Sequence, residues 1–221
     1  MAIHGRDLIS YGDIRSLFLS YIEEGAVKRI ASMNKYVLTL GLITLIGFGL
    51  GGILIIEYLQ DLRFVEVWNS GDRPIRQVGV GSVAGLLASG LALFIITRKF
   101  FDKEKAFYYG LIDRLGINRR GIIFISLCAG IGEEIFFRAA IQPFLGIGLT
   151  SFLFVLLHGY LTPKNLRLSI YGLALTGIII GFGYLFEQVG LVAAIAAHTV
   201  FDLVLLFKMT GIRPIPYGIR G

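Results

Sequence analysis

Residues 121–142 read GIIFISLCAGIGEEIFFRAAIQ, an apolar run interrupted by Glu133, Glu134 and Arg138. About 20 mostly apolar residues are enough for a helix to cross the hydrocarbon core of a bilayer. An ionisable side chain at the centre of such a helix costs about 2.5 to 3.5 kcal/mol on insertion scales. The run therefore predicts a membrane helix whose charged residues serve something other than solubility.

The composition of the whole chain agrees with a membrane protein. Of its 221 residues 55% are hydrophobic and only 16% are charged, and the mean hydropathy is +0.75. A soluble domain averages about 25% charged residues, and a chain of this length cannot hide so much apolar surface in one water-facing core. The same figures exclude disordered and collagen-like chains. The single cysteine, Cys128, excludes an intramolecular disulfide and a Cys-rich zinc site.

The spacing of the apolar runs predicts an all-α fold, a polytopic membrane bundle of about six transmembrane helices. The predicted spans are 36–56, 78–97, 121–142, 144–158, 168–186 and 189–207. The third and fourth are separated by little more than Pro143. An even number of spans places both termini on the same side of the membrane.

The basic residues predict which side that is. Of the 21 Lys and Arg residues, 17 fall on the side of the termini and 4 fall on the opposite side or within the third span. Cytoplasmic loops of membrane proteins carry an excess of Lys and Arg. We therefore expect a multi-pass protein of the cell membrane with both termini in the cytoplasm.

Two stretches outside the spans have apolar residues at helical spacing among charged ones, residues 14–22 and 101–115. Helices of this kind lie in the headgroup plane with the apolar side toward the lipid, and we interpret both as interfacial anchors. Within the spans, pairs of glycines four residues apart predict close approach of neighbouring helices. These pairs are Gly47 with Gly51, Gly81 with Gly85, and Gly177 with Gly181.

Six ionisable residues lie in or near the predicted spans, and they include two of the three histidines: Glu133, Glu134, Arg138, His158, His198 and Asp202. Glu134 and Arg138 are four residues apart, so they can form an ion pair on one helix face. Glu133 then points about 100° away from that face. Polar residues inside a bundle seek one another, and the depths of these six predict a cluster that opens toward the cytoplasm.

Two further pairs have the same four-residue spacing. His198 and Asp202 project from one face of the sixth span, and Phe154 and His158 from one face of the fourth. A glutamate and a histidine at such a site can together deprotonate a water molecule, and a second histidine can stabilise an oxyanion.

Other chemistries fit the sequence less well or remain open. There is no G-x-S-x-G or H-E-x-x-H sequence, and residues 130–133 resemble the G-x-G-D of aspartyl proteases only loosely. Glu, His and Asp also bind Zn²⁺ or Mn²⁺, which leaves a metallohydrolase as an alternative. Intramembrane Glu and His pairs also form proton relays, so a non-enzymatic immunity or transport protein is a third interpretation.

Three motifs occur in order on successive apolar runs. Residues 133–138 match E-E-x-x-x-R, residues 154–158 match F-x-x-x-H, and residues 198–202 match H-x-x-x-(Asn/Asp). In this order they resemble the CAAX-protease and bacteriocin-processing (CPBP, also called Abi) family of intramembrane glutamic endopeptidases. The resemblance covers residues 115–207.

The resemblance implies a role for each matched residue. Glu133 would be the general base that activates water together with His158, while His198 and Asp202 would form the oxyanion-side pair. Glu134 and Arg138 would hold the helix and its neighbours, and Phe154 would support the site. The branch of the family that processes prenylated proteins usually has Asn at the position of Asp202. An ionised Asp cannot donate a hydrogen bond, so here Asp202 would be protonated or would orient His198 and keep it cationic.

The resemblance also implies an organisation and a set of partners. We expect an interfacial N-terminal segment at 1–35, two accessory spans and a basic loop at 36–115, a catalytic core at 116–210 and a tail at 211–221. The expected substrate is a membrane-anchored peptide or protein, CAAX-type peptides included. We expect the lipid bilayer as surroundings, no nucleic-acid partner and no cofactor.

Overall fold

A computed structural model describes residues 34–211 of the chain. The predicted interfacial helix at 14–22 and most of the predicted tail at 211–221 lie outside the described residues. Within them, every regular element is a helix, which confirms the all-α fold class.

The helices are named α1 to α8 in chain order. They are α1 (Lys35–Leu59, with a π-helical turn at Thr44–Phe48), α2 (Phe64–Trp68), α3 (Pro74–Ile96), α4 (Asp102–Leu115, after a 3₁₀ turn at Lys99–Phe101), α5 (Arg119–Glu134), α6 (Gln142–Leu157), α7 (Leu166–Gln188) and α8 (Leu191–Gly211). A π-helical segment, Ile135–Ile141, joins α5 to α6. Segments of this kind are rare and occur frequently at functional sites.

Local sequence sets where several of these helices begin and end. The Asn118 side chain accepts a hydrogen bond from the Gly121 backbone N–H at 2.8 Å and starts α5, and Asn165 does the same for Leu168 at the start of α7. Asparagine is among the preferred residues at this position because its oxygen satisfies an otherwise unpaired N–H. The predicted interfacial stretch at 101–115 is helical as α4, and it ends at Gly116 in the left-handed conformation.

The structure joins two of the six predicted spans. Five helical segments between residues 34 and 211 are long and apolar enough to cross a membrane, because the predicted third and fourth spans form one stretch, Arg119–Leu157. The stretch does not run straight, since the rings of Phe137 and Phe154 lie 5.0 Å apart. On a straight helix these residues would be about 25 Å apart. The chain reverses, and its two limbs run in opposite directions as two spans would.

The reversal lies at Gly146, not at Pro143 as the sequence predicted. Gly146 has φ 72° and ψ 167°, a conformation that glycine adopts without the steric cost of a Cβ atom. Pro143 lies in the first turn of α6, where its missing N–H breaks no hydrogen bond. Proline therefore marks the start of a helix here, and glycine marks the turn.

Large apolar side chains cover much of the outside of the bundle, and charged ones lie inside. Leu50, Leu87 and Phe94 are among the exposed apolar residues, whereas Glu134 and Arg138 have no exposed surface. This distribution suits a lipid environment, where an apolar exterior costs nothing and intramembrane charges face the bundle interior.

Only one of the three predicted glycine pairs lies at a tight helix contact. A Cβ atom at Gly81 would meet the carbonyl oxygen of Ala193, and one at Gly85 would meet that of Ala197, so α3 and α8 pack backbone to backbone. The prediction is wrong for the other two pairs. Gly51 makes only ordinary contact, and three glycines have open space where a Cβ atom would lie: Gly47, Gly177 and Gly181.

Two glycines that were not among the predicted packing pairs bring α5 close to its neighbours. A Cβ atom at Gly130 would collide with Thr199 of α8, and one at Gly132 would lie 2.6 Å from the carbonyl oxygen of Thr44 in α1. These contacts immediately precede Glu133. They hold the end of α5 between two other helices and point its acidic residues into the bundle.

Candidate active site

The carboxylate of Glu133, on α5, lies beside the ring of His158, which directly follows α6. Glu133 Oε2 is 3.4 Å from His158 Nε2. The other ring nitrogen, Nδ1, is 2.7 Å from the carbonyl oxygen of Phe154. A carbonyl only accepts hydrogen bonds, so Nδ1 carries a proton and Nε2 is left facing the carboxylate. Glu133 and His158 are thus placed to exchange a proton with a molecule that binds beside both of them.

His198, on α8, approaches the same carboxylate from the other side. Its Nε2 is 3.9 Å from Glu133 Oε2 and 3.6 Å from Asp202 Oδ2. Its Nδ1 lies 2.8 Å from Oε1 of Glu134, and both residues are buried. The Glu134 carboxylate accepts a hydrogen bond from His198 Nδ1–H. The ring is therefore fixed with Nε2 toward the site.

The predicted ion pair between Glu134 and Arg138 is present. Arg138 Nε donates to Glu134 Oε2 at 3.2 Å, and neither side chain has exposed surface. The family resemblance implied only that Glu134 holds the helix and its neighbours. The structure adds that its second oxygen binds the ring of His198, a contact between α5 and α8.

Phe154 and Asp202 complete the group that the motifs predicted. Phe154 stacks on the ring of His158 with centroids 4.3 Å apart and meets His198 edge to face at 5.6 Å. Asp202 lies one helical turn from His198, and its side chain is 27% exposed while that of His198 is 5% exposed. The structure therefore brings all seven predicted site residues together.

Five of the seven site residues, all except Glu134 and Arg138, line a cavity of about 590 Å³, a volume that includes its open mouth. Glu133, His158, His198 and Asp202 form its polar part. The remaining wall is largely apolar and comes from α6, α7 and α8: Phe154, Val155, Tyr171, Leu175, Ile179, Phe201 and Leu205. A polar end on an otherwise apolar cavity suits an amphipathic ligand whose reacting group must be oriented.

Tyr160, between α6 and α7, also lines this cavity. Its ring stacks on Tyr108 of α4 with centroids 5.5 Å apart. Burial raises the pKa of Tyr160 and that of Tyr108, so both phenols stay neutral around pH 7. The predicted interfacial helix α4 therefore contacts the edge of the site through two uncharged aromatic rings.

Two polar residues to which the sequence analysis assigned no role, Gln142 and Ser151, contact Arg138. Its Nη1 lies 3.2 Å from Oε1 of Gln142 and 3.2 Å from Oγ of Ser151. Gln142 Nε2 in turn donates to Glu187 Oε1 at 3.0 Å and to the carbonyl oxygen of Gly183 at 3.2 Å. The available signal was the position of Gln142, a polar side chain four residues after Arg138 in an apolar run.

Among residues 34–211, no group of three or more His, Cys, Asp or Glu side chains is arranged to hold a metal ion. Glu133, His158, His198 and Asp202 are nevertheless of types that Zn²⁺ accepts as ligands. That the site works without a metal is a prediction, with the metallohydrolase as its alternative, and chelation tests it directly.

Comparison with known proteins finds a similarity to a described family in the part of the chain that carries this site. Residues 119–204 match the family of type II CAAX prenyl endopeptidases of the Rce1-like type, a range that begins at α5 and includes all seven site residues. The chain is also similar to "Uncharacterized protein YpbD" of Bacillus subtilis (strain 168), at 27% identity over 158 residues, 66% of this chain and 76% of the relative. No solved structure matches the chain. The resemblance predicted from the motifs is confirmed, and the matched family is one of proteases.

Proposed function

We propose that this chain, whose residues 119–204 match the Rce1-like endopeptidase family, is an intramembrane endopeptidase that hydrolyses membrane-associated peptides with a Glu/His-activated water. The observation that carries the proposal is the position of Glu133 Oε2, 3.4 Å from one histidine Nε2 and 3.9 Å from another, at the polar end of a cavity. Prenylated CAAX-type peptides are the first substrates to test, because of the family match.

The first step is the activation of water. Glu133, with His158 beside it, takes a proton from a water molecule whose oxygen attacks the carbonyl carbon of the scissile peptide bond. A new C–O bond forms, and the electron pair of the C=O bond moves onto the carbonyl oxygen. General-base catalysis of this kind contributes typically 10²–10⁴-fold.

The second step depends on His198. Its Nε2 donates a hydrogen bond to the negatively charged oxygen, in a buried site where such a bond is worth more than in water. Nδ1–H is already committed to Glu134, so His198 acts in this role as the doubly protonated ring. When the tetrahedral intermediate collapses, the C–N bond breaks. The proton held by Glu133 and His158 passes to the leaving nitrogen, which yields an amine and a carboxylic acid. The acid then loses its proton to the amine or to water and becomes a carboxylate.

Asp202 acts on His198. The distance of 3.6 Å between Asp202 Oδ2 and His198 Nε2 supports the interpretation that an ionised Asp202 orients the ring and favours its cationic form. Asn at this position would donate directly to the oxyanion. A chain with Asp therefore stabilises the same charge through the histidine.

The place of cleavage follows from the proposed orientation. With both termini in the cytoplasm, α5 enters the bilayer from the cytoplasmic side, and the cavity opens toward that side. We propose that the chain is a multi-pass protein of the cell membrane and cleaves substrates whose scissile bond lies near the cytosolic surface. The apolar cavity wall would hold an apolar side chain or lipid group next to that bond.

The test is substrate capture. Glu133→Gln keeps the size of the side chain and removes the base, so the full-length variant in lipid nanodiscs should retain a membrane-anchored peptide that the wild type cleaves. Mass spectrometry of the wild-type products then maps the cleaved ends. Glu57→Gln, at an exposed glutamate of α1, is the matched control. If neither the wild type nor Glu133→Gln cleaves any anchored peptide, and both Glu133→Gln and His158→Ala keep the physiological role of the protein, the non-enzymatic interpretation is favoured.

A further inference from the structure

A chain of buried polar contacts leads from His198 to residues outside the three motifs. His198 Nδ1 donates to Glu134 at 2.8 Å, and Arg138 Nε donates to the other oxygen of Glu134 at 3.2 Å. Arg138 Nη1 donates to Gln142 Oε1 at 3.2 Å. Four residues on four helical segments are thus joined in series. The last of them, Gln142, is 15 residues or more from every histidine of the site.

Gln142 is held at its other end as well. Its Nε2 donates to the carbonyl oxygen of Gly183 and to Glu187 Oε1, both on α7. A Cβ atom at Gly183 would lie 2.9 Å from Gln142 Oε1 and 2.6 Å from Ile147. The glycine therefore lets the amide approach the backbone of α7. Gln142, which is 2% exposed, has its side-chain oxygen and nitrogen both bonded.

The guanidinium of Arg138 depends on these partners for its orientation. It has no exposed surface, and its Nη1 finds two acceptors, Gln142 Oε1 and Ser151 Oγ. A buried donor that loses an acceptor pays the desolvation cost in full, so the group turns toward whatever acceptor remains. A turn of the guanidinium moves Nε, and with it the carboxylate that holds the His198 ring.

We propose that Gln142 is a positioning residue that, through Arg138 and Glu134, fixes the His198 ring in the orientation needed for oxyanion stabilisation. The inference rests on the proposed function for its effect on catalysis. Its effect on the ring of His198 is independent of that function. Gln142 touches neither substrate nor reacting atoms, so its removal lowers kcat and leaves KM unchanged.

The experiment uses the full chain in nanodiscs and compares Gln142→Met with Gln60→Met. Methionine keeps the length of the side chain and removes its hydrogen bonds. Gln60 is the matched control because its Nε2 donates to the carbonyl oxygens of Ala139 and Ala140. These lie in the same π-helical segment as Arg138, but the side chain of Gln60 is not part of the hydrogen-bonded series from His198 to Gln142. We expect Gln142→Met to lower kcat at least tenfold with KM within twofold, and Gln60→Met to change kcat less than threefold.

A second readout follows the ring itself. The chain has three histidines, so the ¹⁵N and Nδ1-proton resonances of His198 are identified by their loss in His198→Gln. We expect these resonances to shift in Gln142→Met and to stay unchanged in Gln60→Met. Ser151→Ala removes the other acceptor of the same Arg138 Nη1 and should also shift them. It provides the test if Gln142→Met does not fold.

The outcomes separate this inference from the proposed function. Wild-type kcat and unshifted His198 resonances in Gln142→Met, with Glu133→Gln inactive, overturn the inference and leave the function standing. Equal losses of kcat in Gln142→Met and Gln60→Met, without a shift of the resonances, also overturn it. If Glu133→Gln cleaves at the wild-type rate the function fails, and the resonances alone then decide the positioning role.

Discussion

The imidazole of His198 and the carboxylate of Glu134 are joined across two helices by a hydrogen bond of 2.8 Å. Both groups are buried, and the same carboxylate is the ion-pair partner of Arg138. Glu134 therefore does two things at once. It neutralises a buried guanidinium, and it leaves one nitrogen of His198 facing the site. Its neighbour Glu133 is left free for chemistry.

Loss of the Glu134 charge should affect stability and turnover together. Glu134→Gln leaves Arg138 without its counter-ion, and breaking a buried pair in this way costs about 3 to 5 kcal/mol. We expect a clear fall in the thermal unfolding temperature and a kcat at least tenfold lower. Glu66→Gln is the control, because Glu66 pairs with Arg63 at the surface and such pairs contribute about 0 to 1 kcal/mol. Equal unfolding temperatures for Glu134→Gln and the wild type would contradict the described role.

Substitution of Asp202 tests how the oxyanion side works. Asp202→Asn keeps an oxygen near His198 Nε2 and adds a donor, so we expect cleavage within about threefold of the wild type. Asp202→Leu leaves His198 Nε2 without this neighbour and should lower kcat at least tenfold, because the ring loses the carboxylate that orients it and favours its cationic form. Steady-state cleavage of one peptide by both variants gives the comparison. A fully active Asp202→Leu would remove Asp202 from the site.

Two glycines on α3 should respond to alanine in opposite ways. A Cβ atom at Gly81 would meet the backbone of α8, whereas Gly79 has open space. Alanine is favoured over glycine in a helix by about 1 kcal/mol, so Gly79→Ala should unfold at the same or a slightly higher temperature. Gly81→Ala should unfold at a lower temperature and lose activity, since α8 carries His198 and Asp202. An unchanged Gly81→Ala would show that α3 and α8 do not pack as described.

Chelation distinguishes the proposed cleavage by a water that Glu133 activates from cleavage that depends on a metal ion held by the same residues. After prolonged treatment with EDTA and phenanthroline, we expect the purified protein to keep its rate of cleavage and to carry no stoichiometric metal. Both properties are measured on one preparation, by peptide cleavage and by elemental analysis. Activity that disappears on chelation and returns with Zn²⁺ or Mn²⁺ would establish the metallohydrolase instead.

Relations within one helix could be predicted from the sequence. Glu134 with Arg138 and His198 with Asp202 are each four residues apart, and helical geometry alone places such pairs on one face. The depth of each motif in its apolar run also predicted that the motifs would meet. The fold class followed from run length and composition, because few structures other than helices satisfy their backbone hydrogen bonds in lipid.

Relations between helices could not be predicted in the same way. The bond from Glu134 to His198 depends on how α5 and α8 rotate about their axes, which the residue pattern does not show. The π-helical segment at Ile135–Ile141 likewise has no mark in the residue pattern. The sequence predicts the break at Pro143, where the structure instead begins a helix, and the reversal lies at Gly146. Ser151 reaches Arg138 only because the chain folds back at that glycine, whereas Gln142 lies four residues from Arg138 and its bonds to α7 depend on how the helices pack.

The central claim is that the carboxylate of Glu133 activates the hydrolytic water, and its most direct test is the single-turnover cleavage rate of Glu133→Gln in nanodiscs. The substrate is a membrane-anchored peptide that the wild type cleaves. General-base catalysis is worth typically 10²–10⁴-fold, so we predict a rate at least 100-fold lower, with an unfolding temperature equal to that of the wild type and unimpaired peptide binding. Cleavage by folded Glu133→Gln at the wild-type rate would contradict the claim.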